Sequence, residues 1–270
     1  FEVNVTGSAS VGELTETEPG IYQFNVTNDV VEIVTVIVSV SGVELNDQVK
    51  IVFEKVPDPI PESPEIIAVE EDENGVQIRW KMEDTNFIDR FLIYKGSIVN
   101  DLNQFADVSV GTSQFIDSNP NHSTVFYAVS AVNTDGVEGS LSDVLAFFNS
   151  SIVAENSQWK LVSNSLEEPI PNNENTTLFS FSNQYQQALE LEPTRGYWIK
   201  SKTFDSEELT LTGSGLTNTT IQLQQGWNLI GSLSAPINVE DIVDDSGILT
   251  TAPIFRFNEF GYEAVEVLNP

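Results

Sequence analysis

The chain has 270 residues, no cysteine and one histidine, and its 41 acidic and 11 basic residues give a formal net charge of −30. Nucleic acids and anionic membranes need a basic surface, so we expect neither nucleic-acid binding nor membrane insertion. The lack of cysteine excludes disulfides, thiol chemistry and cysteine-based metal sites.

The first stretch, residues 1–57, has the patterning of β-strands. Polar and apolar residues alternate at 21–27, β-branched residues dominate 31–40, and residues 50–56 would form the closing strand. We interpret the stretch as an immunoglobulin-like module that is either small and complete or lacks its beginning. Residues 58–64 are rich in proline, which favours an extended, semi-rigid linker.

Residues 65–150 contain strand patterns at 76–80, 90–96, 115–117 and 125–133. This succession resembles fibronectin type III domains. The resemblance implies a β-sandwich with Trp80 in its core and Tyr127 as the corner tyrosine, whose hydroxyl bonds back to upstream backbone. We expect Trp80, Tyr94 and Tyr127 to be structural core residues.

The last stretch, residues 151–270, contains an internal repeat. The pattern W-K-L-V-S-N-S-L begins at Trp159, and W-N-L-I-G-S-L begins at Trp227. Further on, F-S-F from Phe179 matches F-R-F from Phe255. Self-similarity over a long period fixes architecture, so we predict one duplicated β domain with two related halves.

The second copy of the repeat is shorter than the first. After F-S-F the first copy continues into G-Y-W-I-K from Gly196, whereas the second reaches Pro270 before an equivalent strand. We therefore expect the natural chain to begin before Phe1 and to continue past Pro270, and we predict that this domain is truncated at its C-terminal end. One short helix is predicted near Asn238, a capping residue, with Gly247 at its end.

The paired W-x-L-I/V and G-Y-W-I/V-K units resemble repeats near the C-terminus of large secreted and cell-surface proteins of the Bacteroidetes and Chlorobi group. Those proteins carry immunoglobulin-like and fibronectin type III modules upstream, and many end in a sorting domain for the type IX secretion system. The resemblance implies an extracellular or cell-surface location. It implies no particular activity.

The aromatic residues of the repeat have two interpretations. Trp159, Trp198 and Trp227 are first interpreted as core, because a small β domain needs bulky apolar mass. The alternative is a carbohydrate-stacking platform, which requires these side chains to lie outside the core.

Catalytic and metal-binding patterns are absent from the sequence. His122 lies in a turn-rich stretch without partners for a triad or a zinc site. Residues 70–75 do not fit a calcium loop, because its twelfth position is Lys81. We expect no catalytic residue and no cofactor; Ca²⁺ bound by oxygens such as those of Asp117, Asp244 and Asp245 is the alternative.

Together these patterns predict an all-β chain of tandem β-sandwich modules, immunoglobulin-like and fibronectin type III, followed by the duplicated domain. The predicted function is a non-catalytic structural or adhesion segment of a larger bacterial surface or secreted protein, such as a spacer, stalk or filament-forming module. Its partners would be other protein modules or copies of itself. The alternative is a carbohydrate-binding accessory region of a polysaccharide-degrading enzyme, with polysaccharide as the partner.

Overall fold

The computed structural model describes residues 1–245, 247–249 and 253–270. Within these ranges the regular structure is β-strand apart from one 3₁₀ turn at Val239–Asp241, and no helix there is long and apolar enough to cross a membrane. The predicted all-β class of tandem sandwiches with at most one short helix is confirmed. The chain divides into two compact units, Phe1–Asp58 and Pro59–Pro270.

The first unit is organised around one nine-residue strand, β6. Its strands are β1 (Glu2–Val5), β2 (Ser10–Val11), β3 (Thr15–Glu18), β4 (Ile21–Gln23), β5 (Val26–Thr27), β6 (Glu32–Val40), β7 (Val43–Glu44) and β8 (Val49–Phe53). Strand β6 pairs with β1, β7 and β8. Val34 and Val36 are the only buried apolar residues in this unit, all of which is described, while Ile33 and Val52 face each other across the ladder in solvent. The unit therefore has a small core and one open apolar face.

The second unit begins with a two-sheet sandwich. Its strands are β9 (Glu65–Asp72), β10 (Gly75–Lys81), β11 (Ile88–Ile98), β12 (Asp101–Ser109), β13 (Gln114–Asp117), β14 (Thr124–Asn133) and β15 (Leu145–Ala154). One sheet has the order β13-β10-β9, and the other contains β12-β11-β14-β15. This division of seven strands into three and four is that of immunoglobulin-like and fibronectin-type β-sandwiches. The core between the sheets contains Trp80, Ile93 and Tyr127.

The predicted proline-rich linker lies against this sandwich from Pro59 onward. The Asn133 side-chain amide donates to the Pro59 carbonyl at 2.9 Å, and the Ser63 hydroxyl donates to the Leu141 carbonyl at 2.8 Å. Pro61 and Pro64 are buried. Residues 59–64 are thus an ordered edge of the second unit, and the division between the units falls at Asp58.

Strand β15 continues past residue 150, where the sequence suggested a module boundary. The strand pairs with β14 through its first part and with β22 (Glu207–Gly215) over residues 146–154. Phe147 packs in the sandwich core, whereas Phe148 and Ile152 pack in a second core. One five-stranded sheet, β12-β11-β14-β15-β22, therefore joins the sandwich to the duplicated region.

The remaining strands show the duplication directly. They are β16 (Lys160–Ser163), β17 (Ile170–Pro171), β18 (Thr176–Ser182), β19 (Gln184–Gln187), β20 (Glu190–Leu191), β21 (Gly196–Ser201), β23 (Ile237–Asn238), β24 (Phe255–Asn258), β25 (Gly261–Ala264) and β26 (Val267–Leu268). In the first copy β17 pairs with β20 and β18 with β19; in the second β23 pairs with β26 and β24 with β25.

The helix predicted near Asn238 is reduced to the 3₁₀ turn. Asn238 is extended and makes no side-chain cap; its amide donates to the Asp241 carboxylate at 2.8 Å. Asn238 also belongs to β23, and the Val239 N–H donates to the Glu266 carbonyl. Strand pairing with β26 therefore takes the backbone groups that a longer helix would need.

Candidate functional site

The three tryptophans of the repeat lie in different environments. Trp198, on β21, is 9% exposed, whereas Trp159 is 39% exposed and Trp227 is 64% exposed. The core interpretation therefore fits Trp198 and does not fit Trp159 or Trp227. The alternation correctly indicates that one face of these strands is buried, but it does not show which face carries the tryptophans.

The sheet of the first copy, in the order β16-β21-β18-β19, has two faces. Because side chains alternate along a strand, Tyr197 and Ile199 enter the buried core while Trp198 between them lies on the other face. Phe179 pairs directly with Trp198 across the ladder. The Trp159 ring lies 5.6 Å from the Phe179 ring, so the outer face of this sheet is aromatic.

A cavity of about 500 Å³ lies on this outer face. It is lined by Trp159, Phe179, Tyr185, Trp198 and Phe257. Phe257 comes from β24 of the second copy, and its ring centroid lies 4.7 Å from that of Trp198 at 78°. Tyr185 is 57% exposed, so the cavity opens to solvent. The two copies of the repeat therefore form this cavity together.

The chemistry of the cavity is that of aromatic faces and edges, which favour flat or apolar groups. The buried indole N–H of Trp198 has no hydrogen-bond partner among the described residues. The Lys200 ammonium lies 6.0 Å from the centroid of the Trp159 ring. Stacking on the aromatic rings is therefore the main interaction that the cavity can make with a ligand. Few polar groups line it that could orient the ligand.

A second aromatic cluster repeats these contacts in the second copy. Trp227 lies 5.8 Å from Phe255, as Trp159 lies 5.6 Å from Phe179. The ring of Phe257 lies 5.3 Å from that of Tyr262, and in the first copy the ring of Phe181 lies 5.1 Å from that of Tyr185. Trp227 also lies 5.6 Å from Tyr262. The ring contacts are thus repeated in the two copies, although Trp227 is more exposed than Trp159.

The predicted core residues of the sandwich include one that is not fully buried. Trp80 and Tyr127 are at most 2% exposed and belong to the core. Tyr94 is only partly buried, and its hydroxyl donates to the Glu138 carboxylate at 2.7 Å. Burial and that hydrogen bond raise the pKa of Tyr94. Tyr94 therefore caps the edge of the sandwich instead of filling its centre.

The hydroxyl of Tyr127 bonds to a side chain and not to the upstream backbone that the resemblance implied. It donates to Oδ2 of Asp117 at 2.6 Å, and the same oxygen accepts from Lys95 Nζ at 2.5 Å. Asp117 is 1% exposed, and the Asn119 N–H donates to its second oxygen at 3.0 Å. Burial raises the pKa of Asp117, but Lys95, Tyr127 and Asn119 outweigh it, so that this pKa lies below its ordinary value. Asp117, Tyr127 and Lys95 therefore form a buried polar cluster with a structural role.

Metal-binding groups do not converge in the described part of the chain. No three His, Cys, Asp or Glu side chains lie together there as a metal site. Asp117 is engaged in the buried cluster, and Oδ2 of Asp244 accepts from the Leu249 N–H at 2.7 Å. His122 is exposed in the loop before β14.

Comparison with known proteins assigns the chain to no family. No protein-family model and no curated protein matches the chain. Similar solved structures include pectate lyase Pel3 from Pectobacterium carotovorum (16% identity, TM-score 0.25) and the FN1–FN3 domains of chicken CNTN1 (11% identity, TM-score 0.27). The first match covers 30% of this chain and 26% of the lyase chain. The second covers 67% of this chain and 77% of the CNTN1 chain. TM-scores this low carry no argument, so the sandwich assignment rests on strand order.

Several cavity residues were not predicted as site residues. The sequence patterns predict Phe179 and Phe257 only as members of the repeat and do not single out Tyr185. Strand alternation places Phe179 on the same face as Trp198, and this signal was available in the sequence. The approach of Phe257 was not, because it depends on how the second copy packs on the first.

Proposed function

We propose that the chain is a non-catalytic structural or adhesion segment of a larger extracellular bacterial protein, within which residues 59–215 act as one stiff spacer. The sequence resemblance supports the surface location and the bacterial origin. The observation that carries the proposal is strand β15, whose two faces belong to two cores and which pairs with β22 over nine residues. A spacer must keep successive modules in a fixed relation, and a shared strand does this better than a flexible linker.

The experiment is single-molecule pulling of the full chain from its two ends. If β15 couples the sandwich to the first copy of the repeat, the two unfold in one event. At roughly 3.4 Å per extended residue, that event releases about 500 Å of chain. Separate events for the sandwich and for the repeat would contradict the proposal.

A proline substitution in β15 sharpens the test. The Asn149 N–H donates to the Ser123 carbonyl on the β14 side, so strand alternation turns the Ser150 N–H toward β22. Ser150→Pro removes a ladder donor and should split the single event into two. Ser151→Pro is the matched control, because the N–H of Ser151 points away from β22.

Glycan binding is the second candidate, and the aromatic cavity favours it. Sugar rings stack on exposed aromatic faces, and Trp159 and Tyr185 are exposed in the lining of the cavity. Against it, the lining offers few of the hydrogen bonds that fix a ligand's orientation.

Calorimetric titration with a panel of plant and microbial polysaccharides tests this candidate. Binding that is lost in Trp159→Ala and kept in Phe204→Ala would favour it, since Phe204 is fully exposed and does not line the cavity. The absence of heat with every polysaccharide would contradict it.

A further inference from the structure

The rings that line the aromatic cavity are inclined to one another and do not form one plane. Those of Trp159 and Phe179 make an angle of 56°, and those of Trp198 and Phe257 make one of 78°. A sugar stacks by laying one flat side against one aromatic face, whereas a rounded group can contact several inclined rings at once. The volume of about 500 Å³ is that of a small-molecule site. The shape of the cavity therefore favours a small ligand with a rounded end.

The lining of the cavity can attract a positive charge but offers little hydrogen bonding. The face of an aromatic ring carries partial negative charge and attracts a cation within about 6 Å of its centroid. All five side chains of the lining are aromatic, so a cation inside would have rings on several sides. A primary ammonium group would leave N–H donors unpaired there, which is unfavourable. A trimethylammonium group has no N–H donor and fits this lining without that penalty.

Lys200 provides a positive charge beside the cavity. It follows Trp198 by two residues on β21, so its side chain leaves the sheet on the same outer face. Its ammonium lies 6.0 Å from the centroid of the Trp159 ring. Arg256 pairs with Glu263, but Lys200 forms no ion pair with a carboxylate among the described residues. In a chain with 41 acidic residues, this ammonium is thus left available for an anionic group that comes with a ligand.

We propose that the cavity binds a zwitterion in which a trimethylammonium group lies close to an anionic group, as in glycine betaine or phosphocholine. The trimethylammonium group would lie among the rings, and the carboxylate or phosphate would face the Lys200 ammonium. The net charge of −30 disfavours ligands that carry negative charge alone. This inference does not depend on the spacer function proposed above, and it competes with the glycan candidate for the same cavity.

Calorimetric titration of the full chain at constant ionic strength tests the two charges of the ligand separately. Glycine betaine should bind saturably. Its carbon analogue, in which a tert-butyl group replaces the trimethylammonium group, should not bind, because it has the same shape and carboxylate but no positive charge. Choline keeps the ammonium and has a hydroxymethyl group in place of the carboxylate, so it should bind about fivefold more weakly. A parallel titration with phosphocholine shows whether a free solute or a phosphocholine headgroup is the better source of the zwitterion.

Three variants assign the charges and the rings to named side chains. Lys200→Met should weaken the binding of glycine betaine about fivefold and should not weaken that of choline, which has no anionic group. Trp159→Leu keeps apolar volume but removes one ring, so it should weaken both ligands about fivefold, and Trp159→Phe should restore most of the affinity. Phe204→Leu is the control and should change neither, because Phe204 is fully exposed and does not line the cavity.

Several results would overturn the proposal. Equal binding of glycine betaine and its carbon analogue would show that the positive charge does not matter. Unchanged affinity for glycine betaine in Lys200→Met would remove the anion partner, and a lack of saturable binding by both zwitterions would remove the site. Heat with a polysaccharide but with neither zwitterion would support the glycan candidate and contradict this one.

Discussion

Replacing Tyr127 with phenylalanine should reveal how much the buried polar cluster contributes to stability. The change keeps the ring in the core and removes only the hydroxyl that donates to Asp117 at 2.6 Å. A hydrogen bond to a charged group contributes about 1.5–3 kcal/mol. Asp117 is 1% exposed, so water cannot replace the lost donor. Lys95 and the Asn119 N–H remain, and we therefore expect a loss of about 2 kcal/mol.

Thermal unfolding followed by circular dichroism measures this loss. For a cooperative unit of 150–250 residues, 1 kcal/mol corresponds to roughly 2–4 °C, so the midpoint should fall by about 4–8 °C. Tyr94→Phe is the matched control, since it also removes a hydroxyl bonded to a carboxylate, but at a partly exposed position. That control should change the midpoint by about 2 °C or less. If the two variants lost equal stability, burial would not determine the contribution of the bond.

Acid stability should depend on Asp117. Its folded-state pKa is lowered, so its contribution is fully present above the ordinary value of 3.8 and is lost as pH falls below 3.8 and through the folded-state pKa. The wild type should therefore lose more stability between pH 5 and about pH 3 than Asp117→Asn does, and parallel curves would contradict this. Gly75→Ala should cost about 3 kcal/mol in chemical denaturation, because Gly75 has φ +144° and a Cβ would lie near the Asp117 carbonyl. Gly136→Ala, at φ +81° in open space, should cost clearly less, and a reversed order would refute the steric argument. EDTA should leave the unfolding midpoint unchanged, since the described residues contain no three-ligand metal cluster; a fall restored by Ca²⁺ would contradict this.

The interior of the sandwich could be predicted from the sequence because its signals are local. Alternation around Trp80 and the strand pattern around Tyr127 were sufficient to place both side chains in the core. The partner of the Tyr127 hydroxyl was not predictable in the same way. Asp117 lies on β13 and Lys95 on β11, and only the packing of the two sheets brings them together.

The boundary near residue 150 shows a different limit of sequence reasoning. Residues 146–148 are buried in succession, because the two faces of β15 meet different cores. A local pattern shows that such a run is apolar, but not that its two sides belong to different modules. The exposure of Trp159 and Trp227 has a similar origin. Periodicity identifies the two faces of a strand, and tertiary packing decides which one is covered.

The sharing of β15 also has a consequence for how this protein can change in evolution. Multidomain proteins tolerate the exchange of domains best in the exposed segments between them. Here a crossover at residue 150 would leave Phe148 with the sandwich and separate it from Ile152 and the rest of the second core, in which it packs. Residues 59–215 should therefore be inherited as one block. Exchange of modules should be tolerated near Asp58, where the chain passes from one compact unit to the next.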